Sequence, residues 1–238
     1  MKSVITGAGG DIGSAIARAF AKRGDDLALL YHTSERTVSA LAEEIARMGR
    51  MVVLQKADFT DLASTEAALA AVEKTFGAPD VLVNAAGVSV VAPVFDTSAE
   101  TWDRVFAVNA RSVFLVSKWA ARNMIYGGKI LSLSSIWGSR PASCEAAYAA
   151  SKAAVESFTR SFSKEVGSLG ITVNAIAAGM IDTKMNACFT PEEKAEFIDR
   201  LAVKRLGTPE DVANAALFLT GEGASYITGA IFSVDGGL

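Results

Sequence analysis

Short, β-branched apolar runs alternate with longer stretches of helical spacing along the 238 residues, and this alternation restricts the fold more than any other feature. The strand candidates are Ser3–Thr6, Leu27–Tyr31, Met51–Lys56, Val81–Asn84, Lys129–Ser134, Ile171–Ala177 and Ala230–Val234. After the first, Ile12, Ile16, Ala19 and Phe20 recur on one helical face; after the second, Leu41, Ile45 and Met48 do the same. Strands that alternate with helices join through right-handed crossovers into a parallel sheet. Val81-Leu82-Val83 is apolar on both faces, as a parallel strand covered on both sides must be. The pattern implies one doubly wound α/β domain over residues 1–238, with a seven-stranded parallel sheet and helices on both faces. In such sheets ligands bind at the carboxyl ends of the strands, so the loops after each strand are where chemistry belongs.

Composition narrows the classes. The net charge is −3 and no Lys/Arg cluster is present, so no nucleic acid is expected as partner. No apolar run reaches the roughly 18 residues of a membrane span, and the opening residues enter a strand rather than a signal peptide. Cys144 and Cys188 lie far apart without a CxxC partner, which fits a reducing, cytoplasmic setting. His32 is the only histidine. A Ser-His-Asp hydrolase or a histidine-rich zinc site would have to be built around it alone, so no metal is expected and the acid or base is sought elsewhere.

The first strand runs into Thr6-Gly7-Ala8-Gly9-Gly10-Asp11-Ile12-Gly13 and then a helix. Gly7, Gly9, Gly10 and Gly13, with Ile12, would let backbone approach a pyrophosphate at the helix N-terminus of a Rossmann-like fold. The spacing misses the strict G-x-G-x-x-G form, and a bare glycine cluster also suits an ordinary turn; its position after the first strand favours the dinucleotide. Asp11 would repel a pyrophosphate, and is read as an N-cap with its charge turned away. Asp58, followed by Phe59, suits an adenine amino group as well as it suits a turn. Asn84-Ala85-Ala86-Gly87 ends the fourth strand in small side chains that leave room for a ligand or for close backbone packing.

The fifth strand ends in Ser134-Ser135, and Tyr148 and Lys152 follow at i and i+4 on one helix face. An ammonium a few Å from a phenol lowers its pKa from about 10, which would make tyrosine a usable acid or base. Such a pair alone more often decorates a solvated helix; its place after a serine-rich strand end favours chemistry.

With these residues the chain resembles a short-chain dehydrogenase/reductase over essentially its full length. The resemblance rests on Thr6-Gly7 through Gly13, Asn84-Ala85-Ala86-Gly87, Asn109, Ser135, Tyr148-x-x-x-Lys152, and Asn174 through Gly179 to Thr183. Arg205 through Ala213 and Val234-Asp235-Gly236-Gly237 extend it to the C-terminus. It implies Tyr148 as general acid in reduction and Ser135 as polariser of the substrate carbonyl. Lys152 would hold the nicotinamide ribose and depress the Tyr148 pKa. Asn109 would hold a water relaying protons toward Lys152. Gly179, Ile181 and Thr183 would contact the nicotinamide and phosphates, and a homotetramer is implied. Asp11, Ala85 and Ala178 depart from the family's usual residues. Retired relatives serve as dinucleotide-binding scaffolds without turnover, but such a protein has no need of Asn109, Ser135, Tyr148 and Lys152 together.

The second strand ends Tyr31-His32-Thr33-Ser34 without the acid that would hold a free ribose 2′-hydroxyl, so NADP(H) is favoured over NAD(H), with Arg36 also within reach. Among relatives the chain looks most like 3-oxoacyl-[acyl-carrier-protein] reductases, whose substrate is an acyl thioester on an acidic carrier. The positions that carry their docking arginines hold Tyr126 and Leu169, with Lys129 and Arg122 nearby. A narrower likeness, in Ser135-Ile136-Trp137-Gly138 and Ala142-Ser143-Cys144-Glu145, is to the elongation factor P 5-aminopentanone reductases. There Glu145 would pair with the substrate ammonium and Trp137 would wall the pocket. Met180, Met185, Phe189 and Phe197, around a loop over 182–200, are apolar substrate contacts or the core of a small helix.

Overall fold

A computed structural model describes residues 1–140 and 142–238. Seven parallel strands form one sheet in the order β3-β2-β1-β4-β5-β6-β7. They are β1 (Lys2–Thr6), β2 (Asp26–Tyr31), β3 (Val52–Lys56), β4 (Val81–Asn84), β5 (Lys129–Ser135), β6 (Thr172–Ala178) and β7 (Ile231–Val234). Five of the seven ranges expected from sequence shift by one residue at one end and β6 by one at both, because backbone pairing with a neighbour, not side-chain type, decides where a strand stops.

Each strand alternates its apolar side chains between two cores. Ile5, Leu27, Leu29, Val81 and Val83 face one side, where they meet α1 (Asp11–Arg23), α2 (Glu35–Arg47) and α8 (Pro209–Leu219). Val4, Ala28, Leu30 and Leu82 face the other, against α3 (Leu62–Thr75), α5 (Ser112–Asn123) and α6 (Ala146–Val166). Both clusters are almost fully buried, which is why these strands read as continuous apolar runs. Burial of a Leu or Ile side chain contributes ~1.5–3 kcal/mol, so two such cores anchor the sheet. Two further helices, α4 (Ala99–Phe106) and α7 (Pro191–Arg200), lie beyond the carboxyl ends of β4 and β6.

The strand order reverses at β1: β2 continues one way and β4 the other. The helices after β1 and β4 therefore leave on opposite sides and open a crevice between the two loops. Thr6 closes its floor, its Oγ1 accepting the backbone N–H groups of Ala85 (3.1 Å) and Ala86 (3.2 Å).

Candidate active site

The crevice holds about 410 Å³ and adjoins a second hollow of about 240 Å³. Ser135, Tyr148, Gly179 and Met185 belong to the walls of both.

The larger cleft begins at the glycine loop. Gly7 takes a left-handed conformation (φ 66°), and a Cβ on it would stand 2.6 Å from Ala86 Cα. A Cβ on Gly13 would run into the Gly7 carbonyl oxygen, and one on Gly9 would collide with Ser34. The backbone is thus pressed together to bring the start of α1 to the cleft. Gly10 caps that helix with no side-chain hydrogen bond, so the first amides of α1 keep their donor capacity for an anion. Gly7, Gly9, Gly10, Ile12 and Gly13 all line the cleft, as expected.

Asp11 is not the N-cap. It is the first residue inside α1, one position too late to cap it, and its Oδ2 accepts the backbone N–H of Lys184 at 2.7 Å. The carboxylate points toward the loop after β6 rather than away from the cleft.

At the far end Tyr31, His32, Asp58 and Phe59 form the wall. Asp58 closes a turn by accepting the Thr60 N–H (2.9 Å) and hydroxyl (2.7 Å), and its other oxygen lies 3.5 Å from His32 Nε2. The Thr60 bonds first, and then His32, hold its carboxyl below the usual carboxylate range. The turn role and the cleft position therefore coexist. Arg36 is not part of the cleft wall, but Arg104 of α4 is, together with Thr33 and Ser34. Nothing in the local sequence marks Arg104, because it arrives from a helix that follows a different strand.

Ala85 and Gly87 line the middle of the cleft; Asn84 does not. Asn84 is 3 % exposed, and its amide donates to Ser117 Oγ (3.0 Å) and Ser132 Oγ (3.2 Å). It joins β4 to β5 and α5 beneath the site. Gly87 lies against Lys152 and Asn109: a Cβ there would sit 3.5 Å from Lys152 Nζ, an ordinary contact distance.

Ser135 ends β5, and its Oγ accepts the Trp137 backbone N–H at 3.2 Å, which sets the turn that follows. Tyr148 and Lys152 occupy the first two turns of α6 on one face. Lys152 is 4 % exposed, donates to the Leu133 carbonyl at 2.8 Å, and has no acidic partner among the described residues. Burial lowers its pKa to about 8. Its nitrogen is 5.6 Å from the centre of the Tyr148 ring.

Burial, rather than Lys152, dominates the Tyr148 pKa in this structure. Burial pushes the phenol up to about 12, against a Ser135 hydrogen bond that lowers it, and Glu145 pushes it up further. The Lys152 ammonium is itself buried and directed at the Leu133 carbonyl. Tyr148 is consequently a phenol, the form needed to donate a proton.

Asn109 sits in a π-helical turn (Ala107–Arg111) and is fully buried. Its Oδ1 accepts the Val88 N–H (2.8 Å), while its Nδ2 donates to the Val88 carbonyl (2.9 Å) and Ser151 Oγ (2.9 Å). The side chain clamps the loop after β4 to α6.

The cleft suits a nicotinamide dinucleotide. An uncapped helix N-terminus among crowded glycines suits a pyrophosphate, and the buried Lys152 ammonium has donors left for a ribose diol. Gly179, Ile181 and Thr183 line the same cleft.

The second hollow collects Trp137, Glu145, Met180 and Met185, with Ile136, Phe189 and Phe197. Phe197 also packs into a small core with Ile136 and Leu201, so both readings of that residue hold. Glu145 follows a left-handed turn at Cys144 (φ 61°), whose carbonyl accepts the Ala92 N–H at 2.7 Å. Its carboxylate accepts from Ser89 Oγ (3.4 Å) and is raised by desolvation, against hydrogen bonds from Ser89 and Trp137. Ser89, Asn186, Glu193 and Arg200 also reach this hollow, from loops and a helix that no single motif connects.

A family model described as enoyl-(acyl carrier protein) reductase matches residues 7–238. The 3-oxoacyl-[acyl-carrier-protein] reductase of Escherichia coli is 35% identical over 99% of this chain and 96% of its own. The uncharacterized oxidoreductase YmfI of Bacillus subtilis is 36% identical over 99% of this chain and 97% of its own. A Burkholderia cenocepacia short-chain dehydrogenase solved with NADP superposes with a TM-score of 0.94 at 33% identity, covering 99% and 96% of the two chains. The chain belongs to the short-chain dehydrogenase/reductase family. As such it is an NAD(P)-dependent oxidoreductase. All four residues of the expected tetrad are present: Ser135 and Tyr148 lie on the wall that the two hollows share, and Lys152 lines the larger cleft. Among the described residues, no helix is long and apolar enough to cross a membrane, and no three His, Cys, Asp or Glu side chains group to hold a metal.

Proposed function

We propose that this protein is an NADP(H)-dependent ketone reductase of the 3-oxoacyl thioester type, its substrate carried on an acyl carrier protein. The observation that carries the reading is that Ser135 and Tyr148 lie on the wall shared by the dinucleotide cleft and the second hollow. A ketone in that hollow faces a hydroxyl, an un-ionised phenol and the nicotinamide end of the cleft together.

When bound, the dinucleotide supplies the hydride. Ser135 Oγ donates a hydrogen bond to the ketone oxygen and draws charge toward it. Tyr148 gives that oxygen its phenolic proton, completing the alcohol. Lys152 holds the ribose and, while charged, stabilises the phenolate left behind. Asn109 keeps the loop carrying Gly87 and Val88 in place beside them.

Three features favour the phosphorylated cofactor. β2 ends without an acid, His32 and Arg104 line the adenine and middle parts of the cleft, and relatives have been solved with NADP or NADPH. The reading is tested by following NADPH and NADH consumption with a short 3-oxoacyl thioester. Rapid turnover with NADPH supports it; tight NADPH binding without turnover overturns the substrate assignment.

Glu145 favours a second reading. A half-buried carboxylate, without a basic partner among the described residues, beside Trp137 and near Tyr148, suits a ketone bearing a primary amine. Elongation factor P carrying a 5-aminopentanone group is that kind of substrate, and it is the one to try if the thioester fails. Both readings are consistent with a cytoplasmic homotetramer.

A further inference from the structure

We propose that Asp11 is a positioning residue: its carboxylate latches the start of the substrate loop and so retains the dinucleotide in its cleft. The proposal rests on the reading of the larger cleft as a dinucleotide site. Asp11 is the only acid in the first turn of α1, and it lies on the cleft wall. Its Oδ2 accepts the Lys184 N–H at 2.7 Å, joining residues 173 positions apart. Lys184 stands between Thr183, on the wall of the larger cleft, and Met185, on the walls of both hollows. The segment also begins a short 3-10 turn, Lys184–Asn186, beyond which the chain runs into α7.

One bond therefore ties the phosphate loop, after β1, to the segment after β6, three strand positions away in the sheet. Of the other bonds near Lys184, Thr183 and Asn186 bond the Ile181 carbonyl, and the Asp182 N–H donates to the Gly207 carbonyl at 2.8 Å; none of these reaches the phosphate loop. The residue costs something, since its negative charge stands where a pyrophosphate must settle. A carboxylate that served nothing there would only weaken binding. A charge-assisted bond to a backbone amide turns the same carboxylate into a fastener.

The two effects have opposite signs, which makes the proposal testable. If Asp11 acts only as a repelling charge, removing it slows NADPH release. If it is a latch, removing it speeds release. Asp11→Ala is expected to release NADPH about tenfold faster in stopped-flow fluorescence displacement, the scale of losing one charge-assisted hydrogen bond. Asp11→Asn keeps an acceptor oxygen for Lys184 and is expected to restore most of the retention. Release from Asp11→Ala at or below the wild-type rate overturns the proposal, and so does an Asp11→Asn rate equal to that of Asp11→Ala. Hydrogen exchange at the Lys184 amide in the dinucleotide-free protein gives a second readout. It is expected to be slow in the wild type and in Asp11→Asn, and at least several-fold faster in Asp11→Ala; equal rates in all three overturn the latch. A wild-type protein that bound no NADPH would overturn the dinucleotide reading instead, while amide exchange would still decide whether the bond exists.

Discussion

Replacing Tyr148 by Phe removes one oxygen and leaves the ring that packs beside Lys152. The expected outcome is a loss of at least about a thousandfold in turnover with NADPH affinity within about threefold of wild type, because the proton donor is gone and the cleft is not. Appreciable turnover in that variant would mean that another group donates the proton. Lys152 gives a prediction about pH. Burial lowers its pKa to about 8 from 10.5, so above pH 8 the folded protein sheds a proton that the unfolded chain keeps. The unfolded state then binds more protons, and stability rises with pH, by ~2 kcal/mol between pH 8 and 9.5. Tyr148 works against this only above pH 10, where the unfolded chain loses a proton that the folded phenol holds to about 12. Urea unfolding of the dinucleotide-free protein at the two pH values should show the rise, and Lys152→Met should flatten it. Glu145 separates the two substrates: Glu145→Gln should lower kcat/KM for an amine-bearing ketone by at least about tenfold and leave a neutral thioester nearly untouched. An equal effect on both would remove Glu145 from ammonium recognition.

Strand ends and the turns after them carry the site, and that is why so much of it was legible. Gly7 to Gly13, Ser135, Tyr148 and Lys152 are each read within a few residues of a β-strand or a helix start, where spacing and side-chain type decide geometry. Directions were less legible. Asn84 has the right type and place, yet its side chain turns into the sheet to meet Ser117 and Ser132, partners 33 and 48 residues away. Asp11 likewise turns to Lys184, and Arg104, Ser89 and Arg200 enter from elements with no motif of their own. Which atoms fill the space behind a residue is a tertiary fact, and local pattern does not hold it. The contrast between Gly13 and Asn84 tests this division. Gly13→Ala should cost most of the NADPH affinity, since its Cβ forces α1 away from the loop that cradles the phosphates. Asn84→Ala should instead lower the unfolding midpoint, by ~1–3 kcal/mol for two buried hydroxyls left without their donor, with little change in NADPH Kd. A loss of affinity in Asn84→Ala larger than its loss of stability would return the residue to the cleft.

Among the described residues, the fold leaves several aromatic groups uncovered, Phe95 and Trp102 included, and two of these groups form separate faces. On α5 and α6, Phe114 is 44 % exposed and meets Phe158 edge-on at 6.2 Å, with Phe158 stacked on Phe162. At the β7 edge of the sheet, Phe218 of α8 and Phe232 of β7 lie 6.3 Å apart, 48 % and 40 % exposed, and Tyr226 of the intervening chain is fully exposed. β7 is also an edge strand, with one side of its backbone unpaired in the sheet. Large exposed aromatics beside an open edge are an association risk unless something covers them. A second copy of the same face would cover each by two-fold symmetry, and two different self-complementary faces on one chain would close into a tetramer. Light scattering of the wild type should therefore give four chains. Phe114→Glu and Phe218→Glu should each leave a dimer, because each breaks one kind of contact, and the double variant should be a monomer. A wild type that stays monomeric at micromolar concentration would refute the assembly. If both single variants remained tetrameric, the contacts would have to lie elsewhere. Since Ser135, Tyr148 and Lys152 all come from one chain, the dimeric variants should keep their turnover per chain while losing thermal stability, which separates assembly from chemistry.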